Sequence, residues 1–397
     1  MLERRTLRFS GTVAAVLLAT ACGANKASTS GSGAGGSGTS SASGAGGTTS
    51  SAGGGSSSST SGSAASSTSG STSSSTSGGG GSTAYGGIFQ APEPWNTAVD
   101  TVAVDAQSST IIGWLAANGG WGNGNVLQID TSINILYATA STPMTPFVLP
   151  GGSCSPDCDS VTTFPVPTGG AVEGETGYAC NGGGDCHLLV VDASTHTLYE
   201  MWEAFSPPDA TVFNSGGGAM LWDLTKAYPP NLRGDGCTSA DAGGFPIAAM
   251  LFTADEVKAG HIDHAIRFIL PNARIRDDAL YVHPATHSGV NTHAAATRPN
   301  APPYGVHFRL KSTFDLTKLP SAGAQTVAKA LQKYGMFLSD GGNIALTAAN
   351  DAFTTAKWAD ADVSVDSKAL SAIQVTDFDV VDLGTVITTG DNCIRNP

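Results

Sequence analysis

His187-Leu-Leu-Val-Val-Asp192, Ala193-Ser-Thr-His196, Thr197-Leu-Tyr-Glu-Met-Trp202: the reading of this run decides the fold class. Its outer parts are rich in β-branched, aliphatic and aromatic residues, and the four residues between them form turns. That is the pattern of two strands joined as a hairpin. Outward from it the same signal recurs in short pieces. Strands are predicted over 133–139, 144–149, 219–224, 262–270, 304–311, 334–339, 344–347 and 374–381. Helices are few. Ile111 to Leu115 suggests one or two helical turns. Thr253-Ala-Asp-Glu256 fits a capping box that opens a short helix ending near Gly260. Ala324 to Tyr334 places Val327, Leu331 and Tyr334 on one face and stops at Gly335. Ser367 to Ile373 is a further helix candidate. Long helices do not alternate with strands. The expected class is therefore mainly β: an antiparallel β-sandwich-like domain with a few short helices at its margins.

Upstream of this domain the composition changes abruptly. Residues 23–84 are almost wholly Ser, Gly, Thr and Ala, with Lys26 as their one charged side chain and no aromatic ring. Such a segment buries too little apolar surface to offset chain entropy, so a disordered tether is expected. Treated as a flexible coil, it spans roughly 45 Å. Its hydroxyls are also candidate sites for O-linked sugars. The whole chain has 19 basic and 32 acidic residues, but Arg4, Arg5, Arg8, Lys26 and Glu3 precede residue 85. The domain at 85–397 thus carries 15 basic and 31 acidic residues, a net charge of −16. That argues against a nucleic-acid binder, whose footprint is a basic face.

Residues 1–22 read as an export signal. Arg4, Arg5 and Arg8 precede a short apolar stretch from Phe9 to Ala21, too short to span a membrane. It ends in Leu17-Leu-Ala-Thr-Ala-Cys22, which resembles the bacterial lipoprotein box. Ala19 stands where that box usually has leucine. The resemblance implies a lipid on Cys22 and a chain anchored in the bacterial cell envelope, with the domain outside the cytoplasm. An ordinary cleaved signal is the alternative. Arg4-Arg5 also resembles a weak twin-arginine signal.

With Cys22 set aside, six cysteines remain: Cys154, Cys158, Cys180, Cys186, Cys237 and Cys393. An even number in an exported chain points to disulfides rather than to zinc. Six cysteines allow about fifteen connectivities, which sequence alone does not choose between. The turn-like loops at 154–158 and 180–186 bring their own ends together, which would leave Cys237 with Cys393.

From about Ile88 to Asp382 the chain resembles a domain recurrent in secreted and surface proteins of bacteria. The matching stretches are Pro94-Trp-Asn-Thr97, Asp185-Cys-His-Leu-Leu-Val-Val-Asp192, Thr197-Leu-Tyr-Glu200 and Thr238-Ser-Ala-Asp-Ala-Gly243. They continue with Asp255-Glu-Val257, His264-Ala-Ile-Arg-Phe268, Pro284-Ala-Thr-His287 and Tyr334-Gly-Met336. The resemblance implies a single exported domain and carries over no catalytic residue.

Motifs for established chemistries are missing. The glycine runs lack the Lys-Ser/Thr of a phosphate loop, and neither a Gly-x-Ser-x-Gly elbow nor His-Glu-x-x-His occurs. No cofactor and no metal is expected. The candidates are polar residues in or beside apolar strands: His187, Glu200, Asp241, His264, Arg267 and His287. Each is costly to bury alone, and their types suit acid, base and sugar-hydroxyl contacts. Glu200 shares a strand face with Leu198 and Trp202, the arrangement of a sugar cleft. Asp241 sits in a small-residue loop. His264 and Arg267 have opposite parity in one strand, so a bulge within 262–270 is needed to bring both into one site. His283, His287 and His293 fall in a loop. Two functions follow. One is an enzyme acting on a polysaccharide, with Glu200 or Asp241 as acid and Trp202 as a sugar platform. A lyase using His, Tyr and Arg ranks below it, because a polyanionic substrate meets a negative domain. The other is a non-catalytic surface module that binds a glycan or a partner.

Overall fold

The computed structural model describes residues 87–149, 154–206, 212–278, 280–289, 296–388 and 392–397. The expected export signal with Cys22, the expected tether and His293 lie outside the described residues. Strand outweighs helix, 23% against 17% of the described residues, in several sheets. No described helix is long and apolar enough to cross a membrane.

The first half of the chain forms α1 (Ser108–Ala117), α2 (Gly122–Asn125), β1 (Ile129–Ile133), β2 (Ile135–Ala138), β3 (Met144–Val148) and β4 (Thr163–Pro165). The hairpin β5 (Leu188–Asp192) and β6 (Thr197–Met201), then β7 (Phe213–Asn214) and β8 (Ala219–Asp223) follow. The second half adds α3 (Ala254–Ala259), β9 (Ile266–Leu270), β10 (Leu280–Val282), β11 (His307–Leu310) and α4 (Ala322–Lys333). It closes with β12 (Met336–Gly341), β13 (Leu346–Ala349), β14 (Phe378–Val380) and β15 (Val386–Thr388). Two sheets dominate. One runs β1-β13-β9-β12-β11-β14 and the other β2-β5-β6-β8. Smaller sheets pair β4-β3-β7 and β10-β15.

The hairpin pairs from Leu188 with Met201 to Asp192 with Thr197, as its sequence predicts. β5 is buried along its whole length. Leu189, Val191 and Leu198 enter the main core, which also takes Ile129, Phe268 and Leu346 from the six-stranded sheet. Leu188, Val190 and Met201 enter a second cluster with Phe164 and Phe213. Burial on both faces is why β5 reads as an unbroken apolar run rather than an alternation.

The helices follow their local signals. The Thr253 hydroxyl accepts from Glu256 N at 3.2 Å, and the Glu256 carboxylate accepts from Thr253 N at 2.8 Å. Ser321 caps α4 by accepting from Ala324 N at 3.0 Å. Val327 and Leu331 bury the inner face of α4, and Gly335 ends it with φ of 71°. The cysteines pair as Cys154–Cys158, Cys180–Cys186 and Cys237–Cys393.

Four expectations change. The sheets are mixed rather than wholly antiparallel: β1–β13, β9–β12, β2–β5 and β3–β7 are parallel pairs. Parallel neighbours need a crossover. The β9-to-β12 crossover runs mostly through loops and short strands before reaching α4, so no strand–helix alternation marks it in the sequence. The strand predicted over 133–139 is two strands in different sheets. Ile133 pairs with Ala349, but Ile135 pairs with Leu189, so the chain changes sheets at Asn134. The strand predicted over 262–270 starts only at Ile266. Residues 367–372 make hydrogen-bonded turns instead of a helix.

Candidate functional site

Arg267 stands on β9 and is buried. A buried guanidinium needs anionic partners, and Arg267 has two. Its Nη2 donates to Asp241 Oδ1 and to Asp340 Oδ2, each at 2.8 Å. Nε donates to Asp241 Oδ2 at 3.4 Å, and Nη1 to the Thr347 hydroxyl at 3.3 Å. Asp241 is wholly buried. Its loop is held by Gly243 N, which donates to Ser339 O at 2.7 Å.

A β-bulge brings Asp340 to this cation. Arg267 pairs with Phe337 and Phe268 with Leu338, but Ile269 pairs with Asp340 because the register shifts between Leu338 and Asp340. Side chains alternate faces along a strand. Without the extra residue Asp340 would stand opposite Leu270 and point away from Arg267. The bulge re-aims it, a common use of bulges.

The facing wall comes from the other sheet. His187, just ahead of β5, places Nδ1 2.6 Å from Glu173 Oε2 and Nε2 3.0 Å from Ala240 O. A carboxylate and a carbonyl only accept, so both ring nitrogens donate and the ring is an imidazolium. Burial disfavours that cation, but the Glu173 charge and hydrogen bond outweigh it and push His187 up to about 9. Burial alone would likewise raise Glu173; the His187 cation reverses this and holds the carboxyl down at about 2. Asn134, where the chain changes sheets, donates to Val172 O at 3.1 Å and so steadies the residue before Glu173.

Between the walls lies a cavity of about 260 Å³. Arg267, Asp340, Glu173 and His187 line it, with Asp130 and Asp185 at its sides. Gly341 at the end of β12 and Gly342 to Ile344 in the loop to β13 also line it. Asp340 keeps 18% of its side chain exposed. Burial pushes its carboxyl up to about 7; Arg267 opposes the rise and Asp241 adds to it. One cavity thus holds a carboxyl firmly ionised and another that gains its proton near neutrality. Among the described residues no group of three or more His, Cys, Asp or Glu side chains is placed to hold a metal ion.

The six candidates of the sequence separate. His187 and Arg267 line the cavity, and Asp241 lies directly behind Arg267. Glu200 does not line it. It is fully buried in the main core, where Oε2 accepts from Trp222 Nε1 at 3.2 Å and Oε1 from Ala248 N at 2.9 Å. Burial pushes Glu200 up to about 8, against the pull of the Ala248 hydrogen bond. The face it shares with Leu198 looks into the core rather than onto an open cleft. His264 lies ahead of β9 and binds Glu256 Oε1 at 3.2 Å. Its parity conflict with Arg267 disappears, and the bulge lies in β12 instead. His287 Nδ1 donates to Ala242 O at 2.8 Å, outside the cavity lining. Glu173, Asp340, Asp130 and Asp185 were missed. Glu173 sits in a glycine-rich loop, and Asp340 precedes Gly341-Gly342, so both read as turn residues.

No protein-family model matches the sequence, and no curated protein or solved structure matches it.

Proposed function

We propose that the chain is a lipid-anchored protein of the bacterial cell envelope whose β domain acts on a polysaccharide by hydrolysing its glycosidic bonds. The observation that carries this is the pair Glu173 and Asp340 on one cavity, one carboxyl held down at about 2 and the other pushed up to about 7. Carboxyls pushed apart in this way divide the roles of acid and ionised partner. Asp340 gives its proton to the glycosidic oxygen as that bond breaks. Glu173 faces the positive charge that develops on the sugar ring. Water supplies the hydroxyl to the ring carbon and returns a proton to Asp340. The four- and six-stranded sheets serve as the two halves of a sandwich-like body, a reading supported by the side chains both send to one core.

The test is a panel of polysaccharides incubated with the full chain. Reducing ends are expected from at least one, and Asp340→Asn should lower that rate by about 10²-fold or more. Absence of release across the panel rejects hydrolysis. The closed bonding of His187, with both nitrogens engaged, favours a second reading, a module that binds a glycan without cleaving it. Retention on an immobilised polysaccharide without release of reducing ends selects that reading.

Anchoring rests on Cys22 and the tether behind it. Cys22→Ser should move the chain from the detergent phase to the aqueous phase. Unchanged partitioning contradicts the anchor.

A further inference from the structure

We propose that Trp202, Asp185 and Glu203 form a second sugar subsite at the mouth of the cavity, shaped for a unit that carries an ammonium group. This rests on the polysaccharide reading and names its substrate class: an amino-sugar polymer with free amines. Asp185 both lines the cavity and accepts from Trp202 Nε1 at 3.1 Å, so the indole is tied to a residue of the cavity wall. Trp202 is half-buried, while Asp185 and Glu203 are exposed.

The β5–β6 ladder builds the subsite. It continues past Leu188 and Met201 through Ala204 N to Cys186 O at 3.2 Å and Glu203 N to Asp185 O at 2.8 Å. Cys186 and Glu203 take left-handed φ values of 45° and 47°. Such conformations are unfavourable for non-glycine residues, persist where neighbours impose them, and concentrate at ligand sites. Here they turn Asp185 and Trp202 toward each other. A glycine strip backs the ring: a Cβ on Gly216 would lie 3.0 Å from the Trp202 ring and 2.3 Å from Glu203 Oε2. A side chain there would push the indole and the carboxylate aside.

Charge selects the ligand. Even with the Asp340 proton in place, Asp130, Glu173 and Asp185 on the cavity and Asp241 behind Arg267 outnumber the cations of His187 and Arg267. Both cations are already bonded to carboxylates. An anionic sugar meets uncompensated repulsion, whereas an ammonium group finds Asp185 and Glu203 within the subsite. The apolar face of a pyranose ring lies on the indole.

Binding of glucosamine, cellulose-derived and galacturonate oligomers to the full chain tests this, for the wild type, Trp202→Ala and Trp202→Phe, by calorimetry at low and high salt. Glucosamine oligomers are expected to bind about tenfold tighter than the neutral oligomers, with galacturonate oligomers weakest. Trp202→Ala should weaken glucosamine oligomers of two or more units about tenfold, and Trp202→Phe less. Equal binding by Trp202→Ala and the wild type, or preference for the neutral or anionic oligomers, overturns the subsite. If Trp202→Ala is silent while Asp340→Asn abolishes reducing-end release, only the subsite falls. If the wild type neither binds nor cleaves any of the three, the polysaccharide reading falls with it. Melting curves that match the wild type confirm that the variants are folded.

Discussion

Arg267→Met should destabilise the domain by about 3–5 kcal/mol, the typical cost of removing one partner of a buried ion pair. Methionine fills much of the same space, so packing is largely kept. What is lost is the counter-charge of Asp241, which has no exposed surface, and of Asp340 beside it. Asp241 would then stand in the interior beside the Asp340 carboxyl with one hydroxyl, Thr347, left over from the network. A domain of this size has only about 5–15 kcal/mol in total, so the variant is expected to be partly unfolded at modest urea concentrations. Adding Asp241→Asn should recover part of the loss, because it removes the stranded charge. Urea denaturation of the single and double variants measures both effects. A loss below about 1 kcal/mol, the centre of ordinary point mutations, contradicts the assignment of Arg267 as the cation that holds the cavity wall.

Removing the Cys237–Cys393 bridge should cost nearly as much or more. The bridge joins residues 156 positions apart. Constraining so long a loop restricts the unfolded chain by about 5 kcal/mol in the loop-entropy account, against about 2 kcal/mol for the short loops at 154–158 and 180–186. The native contacts agree with the asymmetry. The C-terminal residues dock through Ile394 N to Asp235 O at 3.0 Å, Asn396 N to Arg233 O at 2.8 Å and Arg395 to Asp159 at 2.8 Å. The loop they clamp leads directly into Asp241. The variant with Cys237→Ser and Cys393→Ser should therefore melt well below both the wild type and the variants lacking a short bridge. Equal melting points for all three double-serine variants contradict the loop-length argument.

Local signals carried much of the fold. The hairpin at 187–202, the capping box at Thr253 and the helix ending at Gly335 depend on contacts within a few residues, and sequence contains those contacts. The three cysteine pairs are those the two turn-like loops suggested, although sequence alone did not choose among the connectivities. What sequence did not contain is the partner of each strand. Mixed sheets, the change of sheet at Asn134 and the bulge at Ser339 are set by residues far along the chain. The site shows the same division. Arg267, His187 and Asp241 stood out because charge among apolar residues demands a partner. Their partners Glu173 and Asp340 did not, because an acid beside glycine is ordinary in a turn. Glu200 misled for a related reason: alternation cannot distinguish a face turned to solvent from one turned to a second sheet.

In the proposed hydrolysis Asp340 works as a protonated acid opposite an ionised Glu173. The direct measurement is the pH dependence of reducing-end release by the full chain on the best substrate of the panel. Asp340 must carry its proton to act, and its carboxyl loses that proton as pH rises through about 7. Glu173 is ionised above about 2 and sets no limit in the neutral range. The rate is expected to fall about tenfold per pH unit above 7, and the residual rate in Asp340→Asn to lack this fall. A wild-type rate that holds or rises from pH 7 to 9, or an Asn variant with the wild-type profile, contradicts it.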